Sequence, residues 1–139
     1  MTSLHRWTLA GAILLAMLPG LATAWEPVEL AGSVAVPAKG IDPAHASVHV
    51  RLMDVSRPGA PAALLAEQTI DSPKVLPVAF VLVYDKKALK AEGSYQIEAE
   101  VFQDGQLTLL TARPVPVVKD VPLSAPVVVD WLDKAHPVP

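Results

Sequence analysis

Apolar and polar side chains alternate along most of the chain after residue 24, with the period of a β-strand that buries one face. Between the alternating runs lie prolines, and 13 of the 14 prolines come after residue 24. Because proline cannot donate a ladder hydrogen bond, it marks strand boundaries and not helix interiors. The pattern predicts an all-β fold, a small antiparallel β-sandwich with strands about every ten residues.

Three segments depart from clean alternation. The stretch "AALLAEQTI", residues 62–70, contains good helix formers, but its nine residues between Pro61 and Pro73 favour a strand. Asp85 is positioned to cap one short helical turn, "KKALKAEG", which Gly93 closes. The proline-rich finish from Arg113 onwards predicts one or two edge strands.

The dipeptide Asp104–Gly105 is the strongest hairpin signal in the chain, since both residues tolerate positive φ. A two-residue turn at this point pairs Phe102 with Leu107 and Glu100 with Leu109 on one face. The opposite face then points to the core. On this register the solvent face carries an apolar patch made of Phe102, Leu107 and Leu109.

This apolar patch has two interpretations. It could be a groove in which an extended or helical segment of a partner protein docks. Alternatively, the proline-rich C-terminal segment folds over the patch and covers it with Val127, Val129 and Trp131.

The first 24 residues have the three parts of a secretory signal. Arg6 precedes an apolar run from Trp7 to Leu18, and small residues follow at Ala22 and Ala24. A helix that spans a bilayer needs about 20 apolar residues, and this run is shorter. Its length therefore favours a cleaved signal over an uncleaved membrane anchor. The expected mature domain is residues 25–139.

Composition narrows the function classes further. Without Arg6 the mature chain has 10 basic and 14 acidic residues, a net charge of −4, which gives no basic footprint for nucleic acid or anionic lipid. The chain has no cysteine, so neither a disulfide nor a thiol nucleophile nor a lipidated cysteine is expected.

Candidate catalytic and metal sites are weak. His45 and His49 lie four residues apart near Asp42, but four residues of a strand span about 13 Å, too far for one ion. Glu98 and Glu100 fall on the polar face of a strand, where Arg51 or Lys119 could pair with them. No catalytic motif appears, so the sequence predicts neither an enzyme nor a cofactor or metal site.

Two adjacent blocks, residues 46–70 and 76–111, carry a specific order of motifs. The first contains "VHVRLMDVS"; the second contains "PVAFVLVYD", then "YQIEAEV" and the hairpin. In order and spacing they resemble the YbaY/YscW family, bacterial lipoproteins grouped with type III secretion pilotins. The matching positions are Val48, Val50, Leu52, Asp54, Ser56, Ala66, Ile70, Pro77, Phe80, Tyr84, Asp85, Tyr95, Gly105 and Leu107.

The resemblance implies a small β-sandwich and a role beside a secretin, a ring-forming outer-membrane channel subunit that pilotins carry by their own lipid anchor. Trp25 stands where such a lipoprotein would have its cysteine. We therefore expect a soluble periplasmic accessory factor without a lipid anchor, which binds a secretin or another envelope protein and catalyses nothing. The alternative is a structural or stress-related envelope domain without a dedicated peptide groove.

Overall fold

The computed structural model describes residues 24–132. The predicted signal segment, residues 1–24, lies outside this range except for Ala24, so its cleavage stays a prediction. Within the described range no helix is long and apolar enough to cross a membrane.

Eight strands make up nearly all regular structure, which confirms the all-β prediction. They are β1 (Pro27–Ala35), β2 (Ala46–Asp54), β3 (Ala63–Asp71), β4 (Val78–Asp85), β5 (Tyr95–Gln103), β6 (Gln106–Thr111), β7 (Val115–Val117) and β8 (Val127–Trp131). The ambiguous "AALLAEQTI" segment forms β3. The predicted helical turn is a single 3-10 turn, Lys86–Ala88, where the Asp85 carboxylate accepts a hydrogen bond from the Lys87 amide at 3.0 Å.

The strands form one rolled sheet in the order β3-β2-β5-β6-β8-β1-β4, with β7 paired to β5. Neighbours run antiparallel except β1 and β8, which pair in parallel at Val34–Val127 and Ala35–Val128. The outermost strands, β3 and β4, lie against each other. There the Gln68 side-chain oxygen accepts a hydrogen bond from the Val81 amide at 2.8 Å. The architecture is therefore a barrel-like version of the predicted sandwich.

Alternate residues of the strands fill the interior, as the sequence pattern predicts. Along β2 and β5, every second residue is buried, and the same holds for β4. Gly32 leaves room for the interior, because a Cβ at this position would lie 2.6 Å from Phe80 and 2.8 Å from Leu123. The largest fully buried side chains are Phe80, Leu52, Leu82, Leu89, Ile97 and Leu109.

The hairpin turn forms as predicted, but the register beyond it differs. Asp104 and Gly105 have φ values of 50° and 78°, and Phe102 pairs with Leu107. One residue further, a bulge places an extra residue, Thr108, in β6, so Leu109 pairs with Val101 and not with Glu100. A one-residue shift moves a side chain to the opposite face of a sheet.

The prediction that Leu109 lies on the solvent face is therefore wrong. Its side chain is fully buried in the core. The alternative interpretation, in which Val127, Val129 and Trp131 of the C-terminal segment cover the patch, does not hold either. β8 lies edge to edge with β6, pairing Trp131 with Leu109, and its Val127 and Val129 side chains join the core. β8 is flanked on both sides, whereas β7 pairs with β5 alone, so the proline-rich finish supplies one edge strand, within the predicted one or two.

Replacing Leu109 by alanine tests this register. We expect Leu109→Ala to lower the free energy of unfolding by about 2–5 kcal/mol, the usual cost of removing a fully buried leucine side chain. Leu110→Ala is the matched control, because Leu110 is the adjacent, only half-buried leucine of the same strand, and it should cost less than about 1.5 kcal/mol. Urea unfolding followed by circular dichroism measures both values. Equal losses would contradict the bulged register.

Candidate protein-docking surface

The predicted docking residues Phe102 and Leu107 lie where the sequence places them, on the outer face of the sheet. They form a cross-strand pair next to the hairpin turn, and both side chains are half-buried. Leu110 takes the place predicted for Leu109, because the bulge pairs Leu110 with Glu100 on this face. Phe102, Leu107 and Leu110 are called the outer patch below.

A histidine of β2 borders the outer patch. The rings of His49 and Phe102 lie 4.8 Å apart between centroids and are tilted by 39°. His49 Nε2 lies 3.1 Å from the Ser47 hydroxyl, which donates to Asp71 at 2.7 Å. The polar side chains of Ser47, His49 and Asp71 therefore border the apolar surface on the β2 side, and His49 contacts the Phe102 ring.

The two predicted strand carboxylates have structural partners. Arg51 forms an ion pair with Glu100, as the sequence indicates for a cross-strand neighbour. Glu98 accepts a hydrogen bond from the Gln96 side chain at 2.6 Å. The Arg51 Nε atom is buried without a hydrogen-bond partner in the described part of the chain. The row Gln96, Glu98 and Glu100 therefore reads as the polar border of the outer patch.

The two histidines that invited a metal interpretation have separate partners. His45 Nδ1 lies 2.8 Å from an Asp42 carboxylate oxygen, in the short 3-10 turn Pro43–His45, while His49 stacks on Phe102. Residues 24–132 contain no group of three or more side chains placed to hold a metal ion.

Asp54 and Ser56 form a local turn after β2. The Asp54 carboxylate accepts a hydrogen bond from the Ser56 amide at 2.9 Å. Hydrogen bonding from the Ser56 side chain and amide holds the pKa of Asp54 below its usual range. Ser56 in turn accepts from the Ser94 amide at 2.9 Å, which ties this loop to the start of β5.

Two cavities that the sequence analysis missed adjoin the end of β6. One, of about 310 Å³, lies over Glu98, Glu100 and Thr111; the other, of about 400 Å³, lies between residues 112–116 and 124–128. The Thr111 hydroxyl bonds both the amide and the carbonyl of Ala99, at 2.5 and 2.9 Å, where β6 leaves β5. The closely spaced prolines of this region were the available signal, since they prevent continuous strand pairing.

Comparison with known proteins assigns the chain to a family. The family model described as type III secretion system lipoprotein chaperone (YscW) matches residues 26–128. The chain belongs to this family. The resemblance drawn from the two sequence blocks is thereby confirmed.

A solved structure supports the same assignment. The chain is similar to an alternative pilotin from the type II secretion system of Vibrio cholerae, with 30% identity and a TM-score of 0.69. The similarity covers 77% of this chain and 98% of that pilotin. No curated protein matches the chain.

The pair Asp42–His45 makes a pH-dependent contact. The hydrogen bond from His45 lowers the pKa of Asp42, and the same bond raises the pKa of His45. The pair therefore makes its full contribution to folding stability between pH 3.8, the ordinary pKa of an aspartate, and pH 6.5, the ordinary pKa of a histidine. It is lost as pH rises through the raised His45 pKa, or falls through the lowered Asp42 pKa.

We expect Asp42→Asn to lower the pKa of His45 towards 6.5, because the substitution removes the charged hydrogen-bond partner. An NMR titration of the His45 ring proton measures the change. Asp71→Asn is the control, since Asp71 bonds Ser47 and not His45. An unchanged His45 titration in Asp42→Asn would contradict the pair.

Proposed function

We propose that the chain is a secretion-associated chaperone that acts in the periplasm by binding an envelope protein, without catalysis. The observation that carries the proposal is the family match over residues 26–128, together with an apolar outer patch on the matched domain. A pilotin is among the proteins of similar structure, which favours a secretin as the envelope protein bound.

The outer patch supplies the anchor for such binding. Phe102 is an aromatic ring in tilted contact with His49, and this contact restricts the side-chain freedom that a docking partner would otherwise have to remove. Leu107 and Leu110 add aliphatic surface, and the Arg51–Glu100 pair and Glu98 form a polar border. An apolar centre with a polar rim is the usual anatomy of a protein interface.

Docking is tested by Leu107→Asp in the full-length, affinity-tagged chain produced in a Gram-negative host that carries a secretin. After mild cross-linking, we expect at least a tenfold lower yield of the secretin, because a charge in the centre of an apolar contact costs about 1.4 kcal/mol or more. Leu64→Asp is the matched control: Leu64 is 51% exposed on β3, which is separated from β5 by β2.

Circular dichroism of both purified variants is the control for their folding. Equal secretin yields from Leu107→Asp and Leu64→Asp would refute docking through the outer patch. Secretin absent even from the wild-type sample would favour the structural or stress-related alternative.

Location is tested separately by fractionating the same cells and sequencing the N-terminus of the tagged chain. We expect the periplasmic fraction to contain a protein that begins at Trp25, because the A-x-A pattern ends at Ala24. Membrane-bound protein with its first 24 residues intact would show that the segment is an uncleaved anchor.

A further inference from the structure

One end of the rolled sheet exposes three large apolar side chains. Trp25, which precedes β1, is 60% exposed, and Val118 and Val121, which follow β7, are 60% and 50% exposed. The two valines are the first and last residues of a tight turn, in which the Val121 amide donates a hydrogen bond to the Val118 carbonyl at 3.1 Å. Turns on protein surfaces are usually built from Gly, Pro, Asn, Asp and Ser. These three side chains, called the entry tip below, are therefore available for contact with another surface.

Contacts at the start of β1 bring the tryptophan and the turn to the same end of the sheet. The carbonyl of Ala24, next to Trp25, accepts a hydrogen bond from Lys87 Nζ at 2.9 Å. Residues 120–122 line a cavity of about 350 Å³ together with residues 28–31 of β1. Trp25 and the turn therefore both adjoin the first residues of β1, where the chain enters the domain.

A second cavity, of about 320 Å³, lies beside the turn and carries both signs of charge. Lys90, Lys119 and Asp120 line it, and Asp120 also lines the cavity at β1. Neither lysine forms an ion pair with a residue of the range 24–132. Two cations and one carboxylate around one cavity suit a ligand that contains a phosphate and an ammonium group. The head group of phosphatidylethanolamine has this composition.

The charges of the loops around the entry tip are balanced. These loops comprise residues 24–26, 54–57, 85–94 and 118–122. They contain five basic and five acidic residues, namely Arg57, Lys86, Lys87, Lys90 and Lys119 against Glu26, Asp54, Asp85, Glu92 and Asp120. A surface without net charge is not drawn to anionic lipid. It is compatible with a zwitterionic surface, on which phosphate and ammonium groups alternate.

The chain before the described range leads to the same kind of surface. The apolar run of the predicted signal ends at Leu18, six residues before Ala24. Six extended residues reach at most about 20–22 Å. While the signal remains attached and its apolar run lies in the inner membrane, the entry tip is thus held close to the bilayer. Lipid head groups are therefore the first surface that this end of the domain meets during export.

We propose that the entry tip docks on a zwitterionic phospholipid surface, with one head group in the cavity at Lys90, Lys119 and Asp120. Indole rings and lysine side chains suit the depth of the head groups, because each combines an apolar body with a polar end. The contact is shallow and reversible, since no acyl chain anchors it. It goes beyond the proposed function, because the outer patch lies at the opposite end of β5, next to the hairpin.

The test is flotation with lipid vesicles of protein that is produced full length in a Gram-negative host and purified from the periplasmic fraction. Vesicles of phosphatidylcholine and phosphatidylethanolamine in equal parts are compared with vesicles of phosphatidylglycerol. We expect the protein to float with the zwitterionic vesicles. Acyl chains brominated near the head group should quench its tryptophan emission, and Trp25→Ala should abolish this quenching.

Val118→Asp should lower the binding constant for the zwitterionic vesicles at least about fivefold, because it places a carboxylate in the apolar part of the contact. Val75→Asp is the matched control and should stay within about twofold of the wild type. Val75 is 71% exposed between β3 and β4, at the opposite end of β4. Lys90→Glu should lower binding at least about threefold, with Lys74→Glu, in the same loop as Val75, as its control.

Equal binding of Val118→Asp and Val75→Asp would overturn the inference, as would wild-type protein that floats with neither kind of vesicle. Binding confined to phosphatidylglycerol would overturn the zwitterionic surface, and equal binding of Lys90→Glu and Lys74→Glu would overturn the head group in the cavity. The secretin yield after cross-linking should be unchanged in Val118→Asp. Failure of the vesicle test therefore leaves the proposed function standing, and failure of the secretin test leaves this inference standing.

Discussion

The pairing of β8 on both of its edges is the contact on which the rolled sheet depends. On one side β8 runs antiparallel to β6, and on the other it pairs in parallel with the end of β1. Without it, the β1–β4 pair would have no ladder to the strands β2, β3, β5 and β6. The buried side chains of Val127 and Val129 secure this position, since they fill the interior next to Val34 and Leu109. The last strand of the described range, β8, thus joins the first strand, β1, to the rest of the sheet.

A second constraint decides which leucines are core and which are surface. The β6 bulge turns Leu109 inwards and leaves Leu107 and Leu110 outside, so one extra residue separates a stabilising side chain from two that are available for contact. The same strand ends at Thr111, whose hydroxyl substitutes for a main-chain partner of Ala99. Along β5 the pairing partner therefore changes from β6 to the short β7 without leaving the Ala99 amide unsatisfied.

Local pattern was sufficient for much of the fold. The alternation in β2, β4 and β5 fixes their buried faces, the Asp104–Gly105 turn fixes the hairpin, and Asp85 fixes the 3-10 turn. The misplacement of Leu109 arose because a bulge has no strong local signature. The position of β8 depends on pairing with β1, almost one hundred residues earlier, and such long-range choices are not encoded in periodicity. The cavity at Lys90 and Lys119 likewise requires two segments that only the folded chain brings together.

The meeting of β3 with β4 has a consequence for the behaviour of the chain at high concentration. An unpaired strand edge is a template on which another polypeptide can add, and this is a common route to aggregation. Here the two outermost strands of the sheet, β3 and β4, face each other, and the Gln68 side-chain oxygen accepts a hydrogen bond from the Val81 amide. Each edge thereby shields the other. A second polypeptide therefore finds neither the β3 edge nor the β4 edge open for strand addition.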